Sequence, residues 1–245
     1  MQIAIVSDIH GNLGAFEKVL QDIDGHGGAE EVWCLGDLVG YGPAPNECIE
    51  LLQRRKHLCV LGNHDLAAVG GLDLSEFNED AAEAILWTRQ QLKEMNARYL
   101  KGLPFTITRG EFTLVHGSPR NPIWEYLLSP EAALLSFALL QTPYCLVGHS
   151  HVPVVFEYDQ AFGECEILDY PEHSSLLLHE RRLILNPGSV GQPRDGDPRA
   201  AYLLYDVEAG TVRLCRVAYD IGRTQRQMAE QGLPDRLIER LDFGW

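Results

Sequence analysis

The sequence predicts an α/β fold, a four-layer αββα sandwich in which two facing mixed β-sheets are flanked by helices. Three observations predict it. The first 65 residues alternate strand, helix, strand, helix, strand, which builds a parallel sheet through right-handed crossovers. Beyond His151 the chain runs as closely spaced β-segments, which implies a second, mostly antiparallel sheet. Finally, five apolar runs each end on metal-binding or acid-base residues: Ser7-Asp8-Ile9-His10, Leu35-Gly36-Asp37, Leu61-Gly62-Asn63-His64-Asp65, Leu114-Val115-His116-Gly117 and Val147-Gly148-His149-Ser150-His151. If these runs are strands of one sheet, their C-terminal ends converge on a single crevice, where α/β proteins bind ligands.

Taken in order, the elements begin with strand Ile3 to Val6 and a helix from about Leu13 to Ile23, whose Leu13, Phe16, Val19, Leu20 and Ile23 share one face. Strand Val32 to Leu35 follows, then a helix from about Asn46 to Arg55 with Asn46 as its expected cap, and strand Leu58 to Leu61. From Leu66 to Lys101 a Gly70-Gly71 break and an acidic stretch lead into one long helical pattern (Ala82, Ile85, Leu86, Leu92, Met95, Tyr99) closed by Gly102 and Pro104. We read residues 66–101 as a mostly helical insert beside the crevice within a single domain, 1–245. Strand Phe112 to Val115, a helix with Ser129 as cap and Pro130 in its first turn, and strand Tyr144 to Val147 return the chain to the crevice. The later β-runs are Val152 to Tyr158, Glu164 to Leu168, Ser175 to His179, Arg182 to Leu185, Ala201 to Val207 and Val212 to Ala218.

Size and composition bound the function. A chain of 245 residues with 45% hydrophobic content can bury roughly 70 to 75% of its unfolded surface without disulfides. The six cysteines, Cys34, Cys48, Cys59, Cys145, Cys165 and Cys215, form no C-x-x-C pair and sit mostly in apolar runs, which suits reduced thiols. The first strand starts at once, leaving no room for a secretory leader, and no stretch has the apolar length of a membrane span. A soluble cytoplasmic protein with no membrane partner is expected. The net charge of −15 opposes a stable complex with a nucleic-acid backbone. A short nucleotide substrate survives that argument, because bound cations reverse the local sign. A homo-oligomer is left open.

The motifs carry the chemistry. Asp8 and His10, two residues apart past a strand, can point at one cation, although such an Asp is often only a helix cap. Asp37 can bridge two cations through its two oxygens; the plainer alternative is a Gly-Asp turn. In Gly62-Asn63-His64-Asp65 the Asn carbonyl can ligate, while His64 faces elsewhere, free for proton transfer, with Asp65 positioned to hold its tautomer. His116 alone would be read as a satisfied core histidine, but with His149 and His151 it completes a set too regular for coincidence. His26, His57, His173 and His179 lie outside the pattern.

The set Asp8-x-His10, Gly36-Asp37, Gly62-Asn63-His64-Asp65, His116 and Gly148-His149-x-His151 resembles the five signature blocks of the calcineurin-like metallophosphoesterases, over Asp8 to His151. Asn186-Pro187-Gly188-Ser189 also resembles the closing segment of that superfamily's small bacterial and archaeal phosphodiesterases. The resemblance implies the same αββα sandwich. It makes Asp8, His10, Asp37 and His151 the ligands of a first metal and Asp37, Asn63, His116 and His149 those of a second. His64 would stabilise the transition state or protonate the leaving oxygen, with Asp65 behind it.

The implied reaction is hydrolysis of a phosphoester by in-line attack of metal-bound hydroxide, assisted by two divalent ions about 3.5 to 4 Å apart. Mixed His and carboxylate ligation suits Mn, Fe, Zn, Co or Ni, and Mn is favoured. Protein phosphatases and diadenosine tetraphosphatases of the superfamily resemble one another in carrying Gly-Asp-x-Val-Asp-Arg-Gly, whereas this chain reads Gly36-Asp37-Leu38-Val39-Gly40-Tyr41-Gly42, with Tyr41 in the arginine's place. That difference favours a small-substrate phosphodiesterase over a phosphomonoesterase acting on proteins or nucleotides. Arg120, Asn121 and Arg194 are the candidates to hold the substrate phosphate. A non-catalytic scaffold of the same fold is the rival reading, but such a scaffold is expected to lose ligands, and here every ligand position is filled.

Overall fold

Strand β1 (Gln2–Val6) is apolar on both faces, as a strand buried between two layers must be. A computed structural model describes residues 1–245. After β1 come α1 (Leu13–Gly25), β2 (Glu31–Cys34), α2 (Pro45–Gln53), β3 (His57–Cys59) and a short α3 (Asn63–Ala68). The segment corresponding to the expected insert holds α4 (Glu79–Gln91) and α5 (Glu94–Lys101). Then follow β4 (Thr106–Arg109), β5 (Phe112–Val115), α6 (Pro130–Phe137), β6 (Tyr144–Leu146), β7 (Pro153–Asp159), β8 (Glu164–Leu168), β9 (Ser175–Leu177), β10 (Leu183–Pro187), β11 (Ala200–Asp206) and β12 (Thr211–Val217). Two helices, α7 (Ile221–Glu230) and α8 (Asp235–Glu239), close the chain.

The strands form two six-stranded sheets, ordered β3-β2-β1-β11-β12-β9 and β4-β5-β6-β10-β7-β8. Both are mixed: β1-β2, β2-β3, β5-β6 and β6-β10 pair parallel, and the other neighbours pair antiparallel. The membership differs from the division expected from sequence. The five strands that lead to the expected ligands do not share one sheet: β1, β2 and β3 lie in the first, β5 and β6 in the second. The late strands β9, β11 and β12 cross back to extend the first sheet instead of completing a separate antiparallel one.

Strand alternation sets the layers. Ile3 and Ile5 of β1 and Trp33 of β2 face inward, meeting Phe112, Leu114, Tyr144, Leu146, Leu183 and Leu185 of the opposite sheet. Ala4, Val6, Val32 and Cys34 face outward and are covered by Phe16, Val19, Leu20 and Ile23 of α1 and Cys48, Ile49 and Leu52 of α2. On the far side, Ala133 and Phe137 of α6 cover Cys145, Val147, Phe156 and Ile184. The result is the four-layer αββα sandwich. The cysteines are all free, five of them buried and Cys165 half-buried. No helix is long and apolar enough to cross a membrane.

Four local features depart from the sequence reading. The long helical pattern is two helices, because Leu92 and Lys93 turn extended between α4 and α5. Asn46 is the reason. It does not cap α2, which starts one residue earlier behind Ala44. Its buried side chain instead donates to the Gln91 carbonyl at 2.8 Å and accepts from the Lys93 N–H and the Asn96 amide, each at 2.9 Å. Strand β4 is an exposed, polar edge with no alternating apolar signal. Helices α7 and α8 and the turns that flank α8 pack Met228, Leu233, Leu237 and Leu241 against Ala81 and Ala84 of α4 and against Tyr41.

Candidate metal centre

All seven expected ligands and His64 come together at the edge where the two sheets meet, each 4% exposed or less. Asp8 and His10 leave β1, Asp37 leaves β2, Asn63 and His64 open α3 behind β3, His116 leaves β5, and His149 and His151 leave β6. The loops are laced by backbone: Asp8 N–H donates to the Gly36 carbonyl at 3.1 Å, His10 N–H to Asp37 at 2.8 Å, and Gly148 N–H to His116 at 2.8 Å. Five of these residues stand at positive φ, namely Asp8 (53°), His10 (49°), Asp37 (53°), His149 (65°) and His151 (60°). Left-handed backbone is rare outside glycine and costs on the order of 1–3 kcal/mol per residue, so it persists where surrounding structure enforces it, typically at functional sites.

The donor atoms point at one another. Nε2 of His10 lies 3.1 Å from Nε2 of His151, and Nε2 of His116 lies 3.0 Å from Oδ1 of Asn63. Each of these three rings has its Nδ1 against a backbone carbonyl: Val39 at 3.2 Å for His10, Gln192 at 2.6 Å for His151 and Leu35 at 2.8 Å for His116. With Nδ1 held against those carbonyls, Nε2 of each ring faces inward, the outer-sphere arrangement of metal-binding histidines. Each carboxylate is likewise half used. Asp8 Oδ2 accepts from His149 N–H at 3.1 Å and Asp37 Oδ1 from His64 N–H at 2.9 Å. Asp8 Oδ1, Asp37 Oδ2 and His149 Nε2 are buried with no hydrogen-bond partner. Buried polar atoms are normally satisfied, and separations of 3 to 3.5 Å suit the edges of a polyhedron with bonds of about 2.1 Å. This donor set therefore fits cations.

Asp37 Oδ2 lies 3.6 Å from His10 Nε2 and 3.4 Å from His116 Nε2. Asp8 Oδ1 lies 3.4 Å from His151 Nε2 and 3.9 Å from His10 Nε2. The structure thus shows overlapping clusters, Asp8-His10-His151, His10-Asp37-His64 and Asp37-His116-His149, able to hold metal ions. With Oδ1 taken by the His64 amide, the atom of Asp37 that faces both ends is Oδ2 alone, not the oxygen pair the sequence suggested.

Burial governs the proton affinities. It holds His10 and His151 well below the usual imidazole range and pulls His149 down to about 3 and His64 to about 4. It pushes Asp8 up to about 7. Burial would also raise Asp37, but the neighbouring His116 and His64 outweigh it and hold this carboxyl well below the ordinary range. At His116 the Asp37 charge overrides burial and lifts the ring to about 10.

Not every expected role matches the geometry. Asp65 does not hold His64: its oxygens accept from Val39 N–H at 3.1 Å and Gly62 N–H at 3.2 Å, bracing the start of α3, while His64 Nδ1 has no partner. Arg120 pairs with Glu125 at 3.2 Å, and Asn121 Oδ1 accepts from Ile123 and Trp124 N–H at 3.3 and 3.1 Å, so both serve their own loop. Arg194 alone of the three reaches the centre. Its guanidinium sits 5.8 Å above the Tyr41 ring and donates to Tyr41 Oη at 3.3 Å and Gln192 Oε1 at 3.0 Å, with Nε buried and unpartnered. A guanidinium from elsewhere in the chain thus stands beside Tyr41.

Residues beyond the expected ligands also shape the centre. Gly40, at φ +138°, leaves room for two rings: a Cβ there would lie 2.7 Å from His64 Nδ1 and 2.8 Å from His10 Nδ1. Ser189 Oγ donates to the Asp8 carbonyl at 2.8 Å, and Asn186 Nδ2 donates to the Gly148 carbonyl at 2.7 Å, so the Asn186–Ser189 segment clamps both ligand loops. Tyr41 and Phe77 flank His64 at ring separations of 4.4 and 5.2 Å, and Tyr126 stacks on His149 at 3.9 Å.

Comparison with known proteins places this geometry. Residues 1–210 match the calcineurin-like phosphoesterase superfamily domain. The chain is 38% identical to a protein of Methanocaldococcus jannaschii over 99% of this chain and 98% of that one. It is 44% identical to a crystallised metallophosphoesterase from Sphaerobacter thermophilus, with a TM-score of 0.91 over 100% of this chain and 99% of that one. A symmetrical bis(5'-nucleosyl)-tetraphosphatase of Nitrosococcus oceani is 32% identical over 58% of this chain, which spans only 52% of that protein's length. With its signature residues gathered at one buried edge and its length matched end to end by such relatives, the chain belongs to the calcineurin-like phosphoesterase superfamily and is a phosphoesterase.

Proposed function

We propose that this phosphoesterase is a phosphodiesterase using two divalent transition-metal ions, with manganese favoured, held by Asp8, His10, Asp37 and His151 on one side and Asp37, Asn63, His116 and His149 on the other. The observation that carries the reading is the set of inward-facing, unpartnered donors arranged around Asp37 Oδ2. When bound, such an ion pair lowers the pKa of the attacking water and balances charge on the phosphate oxygens. The protein's own residues do the rest. Arg194 is the residue to bind a non-bridging phosphate oxygen, since its guanidinium has no carboxylate partner and its neighbours Tyr41 and Gln192 are neutral. His64, held on a helix start and kept neutral by burial, donates N–H to the leaving oxygen. Asp65 fixes the position of α3 and so of His64. The buried thiols fit a reducing cytoplasmic compartment.

The test is a manganese-reconstituted sample assayed on bis(p-nitrophenyl) phosphate, p-nitrophenyl phosphate and nucleotides, with metal content measured in parallel. About two ions per chain and a higher kcat/KM for the diester are expected. Protein that takes up no metal and turns over none of these would instead be a scaffold. Because one relative is named a bis(5'-nucleosyl)-tetraphosphatase, and Arg194 supplies a guanidinium beside Tyr41, nucleotide substrates belong in the same screen.

A further inference from the structure

Three of the expected histidine ligands are held by hydrogen bonds: Nδ1 of His10, His116 and His151 lies against a backbone carbonyl at 3.2, 2.8 and 2.6 Å respectively. His149 has no such bond. Its backbone N–H donates to Asp8 Oδ2 at 3.1 Å, but its ring makes no hydrogen bond and Nε2 is buried without a partner. An imidazole free to turn about its last torsion must be ordered when an ion binds, and that ordering weakens binding. What touches this ring is Tyr126, stacked on it at 3.9 Å with the two planes 18° apart. A face-to-face contact fixes the plane of the imidazole and leaves both its nitrogens available.

Tyr126 is 46% exposed, whereas His149 is 3% exposed. A ring so exposed is a fixed wall only if its backbone is held, and the loop that carries it is braced by its own bonds. The loop begins at Gly117, directly after His116, and turns back at once: Gly117 N–H donates to the Pro122 carbonyl at 2.7 Å and Ser118 N–H to the Asn121 carbonyl at 3.1 Å. A Cβ at Gly117 would lie 2.7 Å from the Asn121 carbonyl oxygen, so the turn closes only around glycine. Glu125, the neighbour of Tyr126, accepts from Ser118 Oγ and pairs with Arg120 at 3.2 Å. Ile123 and Leu127 anchor the loop by their burial.

We propose that Tyr126 is a positioning residue for the metal centre: its stack does for His149 what backbone carbonyls do for His10, His116 and His151. The inference rests on the two-ion reading above, in which His149 is a ligand. One loop then governs both imidazoles of the set Asp37, Asn63, His116 and His149, since it starts from His116 and carries the ring that holds His149. Arg120 and Asn121, whose bonds stay within this loop, act on the centre through Tyr126. Loss of an outer partner of a metal-bound histidine typically costs on the order of 10- to 100-fold in metal affinity.

The test is manganese binding by the full chain after chelator has stripped it, read from the electron paramagnetic resonance signal of free manganese, with no substrate present. The wild type is expected to bind two ions. Tyr126→Ala should weaken one of them roughly tenfold or more and leave the other unchanged. Tyr126→Phe, which keeps the stack, should bind both as the wild type does, and all the metal-free proteins should melt at the same temperature. His149→Ala identifies the ion concerned: adding Tyr126→Ala to it should weaken binding no further, because changes at two residues that act through one contact are not additive. Wild-type affinities in Tyr126→Ala, equal losses in Tyr126→Ala and Tyr126→Phe, additive losses in the double variant, or a lower melting temperature of metal-free Tyr126→Ala would each overturn the positioning role while leaving the two-ion reading intact. A wild type that binds fewer than two ions, or a His149→Ala variant that binds both unchanged, would reject the ligand set beneath the inference and the inference with it.

Discussion

Asp8, His10, Asp37, His149 and His151 hold a left-handed backbone that, outside glycine, Asn and Asp tolerate best. Asp to Asn exchanges at these positions therefore test charge without adding backbone strain. Asp37→Asn is expected to lower bound manganese at both sites, because Oδ2 faces both ends of the centre, while Asp8→Asn should lower it at one; metal analysis after dialysis distinguishes them, and equal losses would count against bridging. His64→Ala should keep its metal and lose roughly 100-fold or more in kcat, the scale of a lost acid or hydrogen-bond donor. Loss of metal in that variant would make His64 a ligand. At this scale the gathering of these side chains was most legible, since each proposed ligand follows an apolar run. The partners of Asp65 were not legible, because the donors its carboxylate accepts from are backbone N–H groups of Val39 and Gly62 brought together only by the fold.

At the scale of elements, periodicity located most strands and helices, because their buried faces repeat every second or every third to fourth residue. It failed where tertiary contacts override local pattern. The α4–α5 break is made by one buried side chain from α2, and β4 pairs with β5 without an apolar stripe of its own. Asn46→Ala should cost about 2–3 kcal/mol by leaving the Gln91 carbonyl, the Lys93 N–H and the Asn96 amide without their partner. Urea denaturation should show a lower midpoint at unchanged slope. An unchanged midpoint would mean that water replaces the amide. The C-terminal helices escaped the sequence reading because α7 is mostly polar, with Thr224 and Met228 its buried residues.

For the whole molecule, sheet membership could not be read from local pattern, since it depends on pairings such as Ile3 with Tyr205 and Leu183 with Tyr144. Both proposed ligand sets draw on both sheets: His151 joins the Asp8 set, and His116 and His149 join the Asp37 set. Cations bound there tie one layer to the other, and binding to the native state alone stabilises it by mass action. Manganese at about 100 times its dissociation constant should therefore add about 2.7 kcal/mol and raise the melting temperature, an increase that chelator reverses. A melting temperature indifferent to manganese and chelator would refute binding across the sheets.

The pairing of β1 with β11 also fixes an order of events during synthesis. Every proposed ligand has been made once His151 emerges, yet the neighbour that holds β1 from its other side is not made until residues 200–206, and the Ser189 clamp on Asp8 comes only shortly before. Contacts of such sequence separation form late and slow folding. A nascent chain thus carries its complete set of donors for some fifty residues before they can be held in place. The proposed donor set is therefore held in its final arrangement only after β11 has paired with β1.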